Sequence, residues 1–213
     1  MEILVIGKEN SLNECKQKFG DQHVYRIAKS HSEAEKILKS ESIVFDFKIS
    51  EDTNKIRLYK NFGGIAFFEL SKNSLEQLIN SIETRATFFG FCGMPTFFNR
   101  EILEISLSQK TDLKKLEEVC AKLNTKFSVV KDQPGLITPR VICMIINEAY
   151  FTWEAGTSTK EEIDIAMKLG TGYPFGPFEW AGLIGEERVA NLLRRLCEEN
   201  PLYELAQTLN AER

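Results

Sequence analysis

The chain has 213 residues, of which 43% are hydrophobic and 27% are charged, as is usual for a soluble globular protein with one large or two small domains. Its net charge of −4 argues against a surface that binds nucleic acid or an anionic membrane. No apolar run approaches the roughly 18 residues that a membrane span needs, and the N-terminus lacks the pattern of a signal peptide, so we expect a cytoplasmic protein.

Short apolar runs alternate with longer polar, periodic stretches over the first 130 residues. The apolar runs predict strands at 3–6, 23–27, 43–47, 65–68, 87–91, 103–107 and 126–130. The stretches between them predict helices at 11–19, 32–38, 50–60, 74–82 and 112–123, with Ser30 or Ser32 capping the second helix and Thr111 the last. Strands that alternate with helices in this way indicate a mostly parallel, doubly wound sheet.

A turn signal, Asp-Gln-Pro-Gly from Asp132, ends this half of the chain, and helices are predicted after it. Thr138 can cap the first of them, with Pro139 in its first position. Ser158 and Glu161 predict a capping box for the next helix, which Gly170 should end. The remaining helices are predicted at 178–184, 187–198 and 202–209. The pattern therefore predicts two domains, 1–131 and 132–213.

The cysteines and histidines give little sign of a metal site. The five cysteines are odd in number and form no C-x-x-C pair, which favours free thiols over disulfides or zinc. The two histidines, His23 and His31, both lie early in the first half, and exposed or half-buried structural positions are the default interpretation for them. We therefore expect no metal ion.

The loop after the first strand lacks the features of a dinucleotide site. Such a site needs G-x-G-x-x-G, because side chains there would crowd the pyrophosphate on the helix N-terminus. Here K-E-N-S-L follows Gly7, so only Gly7 matches, and Glu9 adds a like charge. The second strand is followed by no acid that could hold a ribose, and Asp46 taken alone is interpreted as a surface carboxylate at a strand end.

The stretch from Lys131 to Gly185 runs from KDQPGLITPR through EEIDIAMKLGTGYPFGPFEW to IG. It resembles the start of the C-terminal domain of the 3-hydroxyacyl-CoA dehydrogenases, the NAD-dependent oxidoreductases of fatty-acid β-oxidation. Segment 89–99, FGFCGMPTFFN, is similar to that family's F-I-G-M-H-F-F-N-P. The resemblance implies an α/β plus all-α protein: a shortened Rossmann-like doubly wound parallel sheet at 1–131, then a helical domain of the family type at 132–213. It also implies a homodimer formed through the helical domain.

The resemblance also implies a set of site residues. In this family a histidine acts as the general base on the substrate hydroxyl while NAD takes the hydride. The histidine position falls at Pro95 and Thr96, neither of which can accept the proton at neutral pH. Glu104 matches the glutamate that orients the histidine, although a carboxylate on a short strand is an equal interpretation. Asn99 ends the F-F-N match and is kept as a candidate catalytic residue.

Four further positions are less certain matches to the family site. Ser71 is the candidate for the family serine, with Ser74 as the alternative, and both could simply cap a helix. The family asparagine in P-G-F-I-x-N-R is replaced by Pro139. Gly7 and Asp46 fall at cofactor positions, and both matches are weak.

Three functions remain open from the sequence. The first is a catalytically degenerate relative that binds no NAD and acts as a dimeric binding or scaffold protein, with an acyl-CoA as its candidate ligand. The second is an active NAD-dependent 3-hydroxyacyl-CoA or 3-hydroxybutyryl-CoA dehydrogenase with an unusual site. The third is a Rossmann-like module for another nucleotide or small ligand, since a fold does not fix a function.

Overall fold

The structure is a computed structural model that describes residues 1–40 and 42–210, so the last three residues of the predicted helical domain lie outside it. The chain divides into two compact units, one formed by Met1–Gly93 and Phe97–Leu136, the other by Met94–Thr96 and the residues from Ile137 onward. No helix among the described residues is both long and apolar enough to cross a membrane.

The first unit is an α/β unit. Its strands are β1 Glu2–Ile6, β2 Val24–Ala28, β3 Ile43–Asp46, β4 Ile65–Glu69, β5 Thr87–Phe91, β6 Ile102–Leu107 and β7 Lys126–Val129. Its helices are α1 Glu9–Phe19, α2 His31–Ile37, α3 Leu75–Ile79 and α4 Leu113–Lys122, with short 3-10 helices at Ile49–Glu51, Thr53–Tyr59 and Lys110–Asp112.

The seven strands form one sheet in the order β2-β1-β3-β4-β5-β6-β7. Each neighbouring pair is parallel except β5 and β6, which are antiparallel. The predicted doubly wound, mostly parallel sheet is therefore confirmed. Because β2 and β3 lie on opposite sides of β1, the strand order reverses at β1 and β3, the place where open α/β sheets bind ligands at the carboxyl ends of the strands.

Phenylalanines fill the core on the face of the sheet that α1 covers. Phe45 and Phe67 stack with ring centroids 4.6 Å apart, and Phe67 and Phe89 continue the row at 5.0 Å. Phe19 of α1 and Phe98 pack against Phe45 from outside the sheet, at 5.1 and 5.8 Å. Side chains alternate along a strand, so the neighbours of these residues face the other side, which becomes important for Asp46 and Glu104.

The second unit is helical, with α5 Thr138–Glu154, α6 Lys160–Thr171, α7 Pro177–Ile184, α8 Glu186–Glu199 and α9 Gln207–Asn210. Asn147, buried in the middle of α5, donates from Nδ2 to the carbonyl of Glu204 (2.7 Å) and accepts from the amide of Ala206 (2.9 Å). The predicted helix 202–209 was therefore too long, because this side chain binds the backbone of 204–206 in a non-helical conformation.

Several predicted helix ends were wrong by one or two residues. The capping box of α6 uses Thr159 and Glu162 instead of Ser158 and Glu161, because Thr159 directly precedes Lys160, the first residue of the helix. That helix ends at Gly172, whose φ of 70° is left-handed, and not at Gly170. Thr138 is the first residue of α5 and not its cap.

Two predictions in the first unit were also wrong. The helix expected at 50–60 is split into two 3-10 helices, because the Asp52 side chain accepts from the amide of Asn54 and interrupts the ladder. Thr111 does not cap α4; it lies within the 3-10 turn that precedes the helix. Ser30 does cap α2, accepting from the amide of Glu33 at 3.2 Å, as expected.

Candidate functional site

Side chains of the loop between β1 and α1, and of the first turn of α1, occupy the region where a dinucleotide site would hold a phosphate. Lys8 is the N-cap residue of α1, and its carbonyl accepts from the amide of Ser11 at 3.0 Å. A Cβ at Gly7 would lie 3.0 Å from both Cβ and Oγ of Ser11, so a larger residue there would need the Ser11 side chain to move by a few tenths of an ångström. Glu9 places a carboxylate in the first turn of α1, where the helix dipole would otherwise favour a phosphate.

Asp46 lies at the carboxyl end of β3 and is fully buried, so its interpretation as a surface carboxylate was wrong. Its Oδ2 accepts from the hydroxyl of Tyr59 at 2.9 Å and lies 2.8 Å from Nε2 of His31. Its Oδ1 accepts from the amide of Lys48 at 2.9 Å. His31 is itself only 9% exposed, so the default of an exposed or half-buried histidine was wrong for it as well.

A second buried carboxylate, Glu69, lies at the end of the neighbouring strand β4 and holds Ser71. Its two oxygens accept from the amide and the hydroxyl of Ser71, both at 2.9 Å. Ser71 is thus bound to a carboxylate and not at a helix terminus. Ser74, its alternative, is the N-cap of α3 and forms a capping box with Gln77, as the structural interpretation predicted.

Side chains pack tightly around Gly93, which lies just after the carboxyl end of β5. A Cβ on Gly93 would lie 2.7 Å from Cδ1 of Phe47 and 2.8 Å from Cγ of Glu69. The Phe47 ring packs edge-on against Phe91 and Phe98, with centroids 5.0 and 5.2 Å away. The chain's own aromatic and acidic side chains therefore occupy this part of the carboxyl edge.

The side chain of Thr96, where the resemblance leads us to expect a catalytic histidine, makes a structural contact. Its hydroxyl accepts from Nε1 of Trp180 at 2.8 Å, and Trp180 is 6% exposed. The backbone of Thr96 has a φ of 75°, which lies in the left-handed region. Residues other than glycine, asparagine and aspartate seldom adopt this conformation. A hydroxyl cannot accept a proton at neutral pH, so this position holds no general base.

Glu104 and Asn99 face different sides of the sheet. Glu104 lies in β6 between Leu103 and Ile105, which both belong to the phenylalanine core, so its side chain points to the opposite face. Asn99 donates to Gln17 of α1 at 3.1 Å and therefore lies on the α1 side. The structure does not assemble these two candidates into one constellation.

The last predicted substitution, Pro139, is the second residue of α5 and is buried. Its missing amide proton costs little there, because the first amides of a helix have no partner within the helix. Arg140 beside it forms an ion pair with Glu199 at 3.2 Å.

The sequence analysis did not identify Asp164 as an important residue. Its contacts explain why the motif from Asp164 to Glu179 contains a glycine and a proline at the start of α7. Its carboxylate is 8% exposed and accepts from the amides of Phe178 (2.8 Å) and Glu179 (3.0 Å) at the start of α7. A Cβ on Gly176 would overlap this carboxylate, so the glycine is required. An aspartate twelve residues before a glycine-proline helix start was the available signal.

Asp132 plays the same part in the first unit. Its carboxylate accepts from the amides of Leu75 (2.8 Å) and Glu76 (2.9 Å) in the first turn of α3, and from the hydroxyl of Ser106 at 3.1 Å. The D-Q-P-G turn is therefore anchored to α3 and β6 by its aspartate.

Comparison with known proteins establishes the family. The family model of the 3-hydroxyacyl-CoA dehydrogenase C-terminal domain matches residues 135–212. The human mitochondrial hydroxyacyl-coenzyme A dehydrogenase is 30% identical over 227 residues, covering 96% of this chain and 72% of the relative. The chain belongs to the 3-hydroxyacyl-CoA dehydrogenase family.

The chain has the same fold as solved structures of 3-hydroxybutyryl-CoA dehydrogenases. The (S)-3-hydroxybutyryl-CoA dehydrogenase from Ralstonia eutropha aligns with a TM-score of 0.70 and 20% identity, covering 98% of this chain and 92% of that one. The 3-hydroxybutyryl-CoA dehydrogenase from Escherichia coli aligns with a TM-score of 0.68 and 15% identity, covering 99% and 55%. The predicted family and the predicted fold class are thus confirmed.

Proposed function

We propose that this family member does not catalyse the dehydrogenase reaction and works as a dimeric binding or scaffold protein of fatty-acid metabolism in the cytoplasm. The observation that carries the proposal is Thr96, whose hydroxyl is hydrogen-bonded to Trp180 at the position of the catalytic histidine. Loss of a general base typically lowers a rate by about 10²–10⁴-fold. Thr96 offers no imidazole that Glu104 could orient.

The cofactor side supports the same proposal independently. Hydride transfer needs NAD in place, and NAD needs a backbone that approaches the pyrophosphate closely. Here Ser11 packs on Gly7, Glu9 stands at the helix N-terminus, and Phe47 and Glu69 fill the edge at Gly93. These side chains disfavour a dinucleotide by volume and by charge.

The first test is oxidation of NADH with acetoacetyl-CoA at high protein concentration, together with calorimetric titration of NADH. A complete dehydrogenase serves as the positive control. We expect neither turnover nor NADH binding. Thr96→His, which returns an imidazole to this position, should remain inactive because the cofactor loop is unchanged.

Turnover by the native chain that disappears in Glu104→Ala would overturn the proposal and make Glu104 catalytic. Turnover that persists in Glu104→Ala must be traced by mass spectrometry and by a second purification route. Turnover that co-purifies with this chain would also overturn the proposal. Turnover that separates from the chain belongs to a contaminant. Titration with acetoacetyl-CoA and free coenzyme A then tests the proposed acyl-CoA ligand.

We also propose that the chain forms a homodimer through its helical unit. This unit exposes large apolar side chains, among them Leu202 (89%), Leu169 (83%), Ile165 (54%) and Val141 (53%). Val141 further lines a mainly apolar groove of about 500 Å³ with Met144, Ile145, Leu196 and Tyr203. Exposed apolar patches of this kind often mark protein interfaces.

Sedimentation equilibrium tests the dimer. Val141→Asp places a charge in the groove and should shift the protein toward the monomer. Val24→Asp is the matched control, since Val24 is 60% exposed on the edge strand β2 of the other unit and should leave the assembly unchanged. A native chain that sediments as a monomer at micromolar concentration would refute the homodimer.

A further inference from the structure

A polar pocket of about 310 Å³ lies in the first unit and shares no residue with the loop that follows β1. Three segments line it: the last turn of α1 (17–18), the turn before β6 (99–101) and the turn between α4 and β7 (124–126). Ile102 of β6 pairs with Lys126 of β7, so these two turns lie side by side. The strand pairing therefore fixes two of the three walls of the pocket.

The pocket has an excess of positive charge. It contains three cations, Lys18, Arg100 and Lys126, and one acid, Glu101. Glu101 accepts a hydrogen bond from Lys126 at 2.6 Å, and this bond and the charge of the partner lower the pKa of the carboxyl and raise that of the ammonium. Neither Lys18 nor Arg100 forms an ion pair within the described part of the chain. Two cations are therefore uncompensated, in a chain whose net charge is −4.

The hydrogen-bond donors of these two cations are mostly unused. The Lys18 ammonium donates to the carbonyl of Arg100, which holds it against the turn 99–101 and leaves its other N–H groups for a further acceptor. The Arg100 guanidinium donates to no residue that the structure describes. The amide of Gln17, which accepts from Asn99 at 3.1 Å, adds a neutral donor to the same wall. The pocket is thus rich in donors and poor in acceptors.

The helix ends beside the pocket reduce its positive charge without cancelling it. α1 ends at Phe19 and α4 at Lys122, so the C-terminal ends of both helices lie next to lining residues. Each C-terminal end carries about half a negative charge, and together they offset about one of the two cations. Burial also lowers the pKa of Lys18, so its ammonium would gain from an anion that replaces the lost water. A net positive charge remains for an anion to bind.

The arrangement favours a phosphate monoester over a carboxylate. A phosphate monoester carries about −1.5 to −2 charges at neutral pH and three acceptor oxygens, so it can accept from both side chains at once. A carboxylate has a single charge and two oxygens, which one guanidinium fork can occupy. The pocket volume lies at the lower end of the range for small-molecule sites, about 300–1,000 Å³, so an organic group can accompany the phosphate.

We propose that Lys18 and Arg100 form a binding site for a small phosphate monoester in this pocket. Of the residues matched to the family site, only Asn99 lies in its wall, and there it contacts Gln17. The site goes beyond the proposed function and does not depend on whether the protein transfers a hydride.

Titration with inorganic phosphate and with phenyl phosphate, followed by amide NMR and by calorimetry, tests the site. Both should saturate below about 10 mM and shift the signals of 99–101 and 124–126, with phenyl phosphate binding at least as tightly. Arg100→Gln should weaken binding by about tenfold or more, because charge-assisted hydrogen bonds are the strong ones. Arg57→Gln is the matched control: Arg57 is exposed, forms no ion pair with a described residue and should leave the affinity unchanged.

Four results would refute the site: no saturation, an affinity that Arg100→Gln leaves unchanged, equal binding of acetate and phosphate, or signal shifts confined to other segments. Lys18→Gln should weaken binding in the same way as Arg100→Gln. If Lys18→Gln fails to fold, the exposed Arg100 still decides the question. Coenzyme A binding that persists in Arg100→Gln belongs to the acyl-CoA ligand of the proposed function, so the two proposals fail separately.

Discussion

The ammonium group of Lys160 lies among three aromatic rings, and its removal should destabilise the helical unit. Its Nζ lies 4.1 Å from the ring centroid of Trp153, 5.1 Å from Phe178 and 5.2 Å from Tyr150. The rings belong to α5 and α7, and Lys160 is the first residue of α6, so one cation joins three helices. Lys160→Met keeps an unbranched apolar side chain of similar length and removes the positive charge.

The geometry sets the expected size of the effect. A cation–π contact contributes about 0.5–1 kcal/mol when exposed and about 2 kcal/mol when desolvated, and indole is the strongest ring. Lys160 and Trp153 are both half-buried, and Trp153 is the nearest of the three rings, so we expect a loss of about 1–1.5 kcal/mol. For a cooperative chain of this size that lowers Tm by roughly 2–6 °C.

Urea denaturation and calorimetry of Lys160→Met measure this loss, and Lys160→Arg is the control that keeps a cation over the rings. A double-mutant cycle with Trp153→Leu should give a coupling free energy of about 1 kcal/mol. If Lys160→Met is as stable as the native protein, or if the coupling is near zero, the cation does not join these helices energetically.

The capping groups of α6 and α7 give three further expectations. Asp164→Ala leaves two amides at the start of α7 without an acceptor and should cost about 1–2 kcal/mol in denaturant titration, with Asp164→Asn losing less. Gly176→Ala pushes a methyl group against Asp164 and should cost about 1–3 kcal/mol, and no loss would mean that the carboxylate moves freely. Glu162 has a pKa lowered from 4.5, first by the backbone amide of Thr159, so its stabilising effect is present above that pH and is lost as pH falls through the lower folded value. The Tm difference between Glu162→Gln and the native chain should therefore be largest near neutrality and shrink below about pH 4, and a difference that does not depend on pH would contradict the capping role.

The sequence predicted the sheet well because its signal is local. Buried strands such as β3 and β4 lie within mainly apolar runs bounded by turns, and such runs need no tertiary information to be recognised. Helix ends were less well predicted, because neighbouring residues offer alternative caps, as at Ser158 and Thr159, and because some ends depend on side chains distant in the chain. The segment before α9 is held by Asn147, 57 residues earlier than Glu204, and no local pattern reveals that contact.

The site was predicted in part. Thr96 in place of histidine and the loop after Gly7 could be read from residue identity alone. The burial of Asp46 could not, since it depends on Tyr59 and His31 arriving from two other segments. The separation of Glu104 from Asn99 likewise follows from strand alternation and from a hydrogen bond to Gln17, which a linear motif does not contain.

The Asp164 cap has a consequence for how relatives of this chain are recognised. The segment that carries the family match, from the aspartate through the glycine and proline that begin α7, is held together by hydrogen bonds that stabilise the start of this helix. These hydrogen bonds contribute the same stability whether or not the protein transfers a hydride. The family signature therefore reports on the stability of the helical unit and not on the reaction, and in this chain it occurs together with a threonine at position 96.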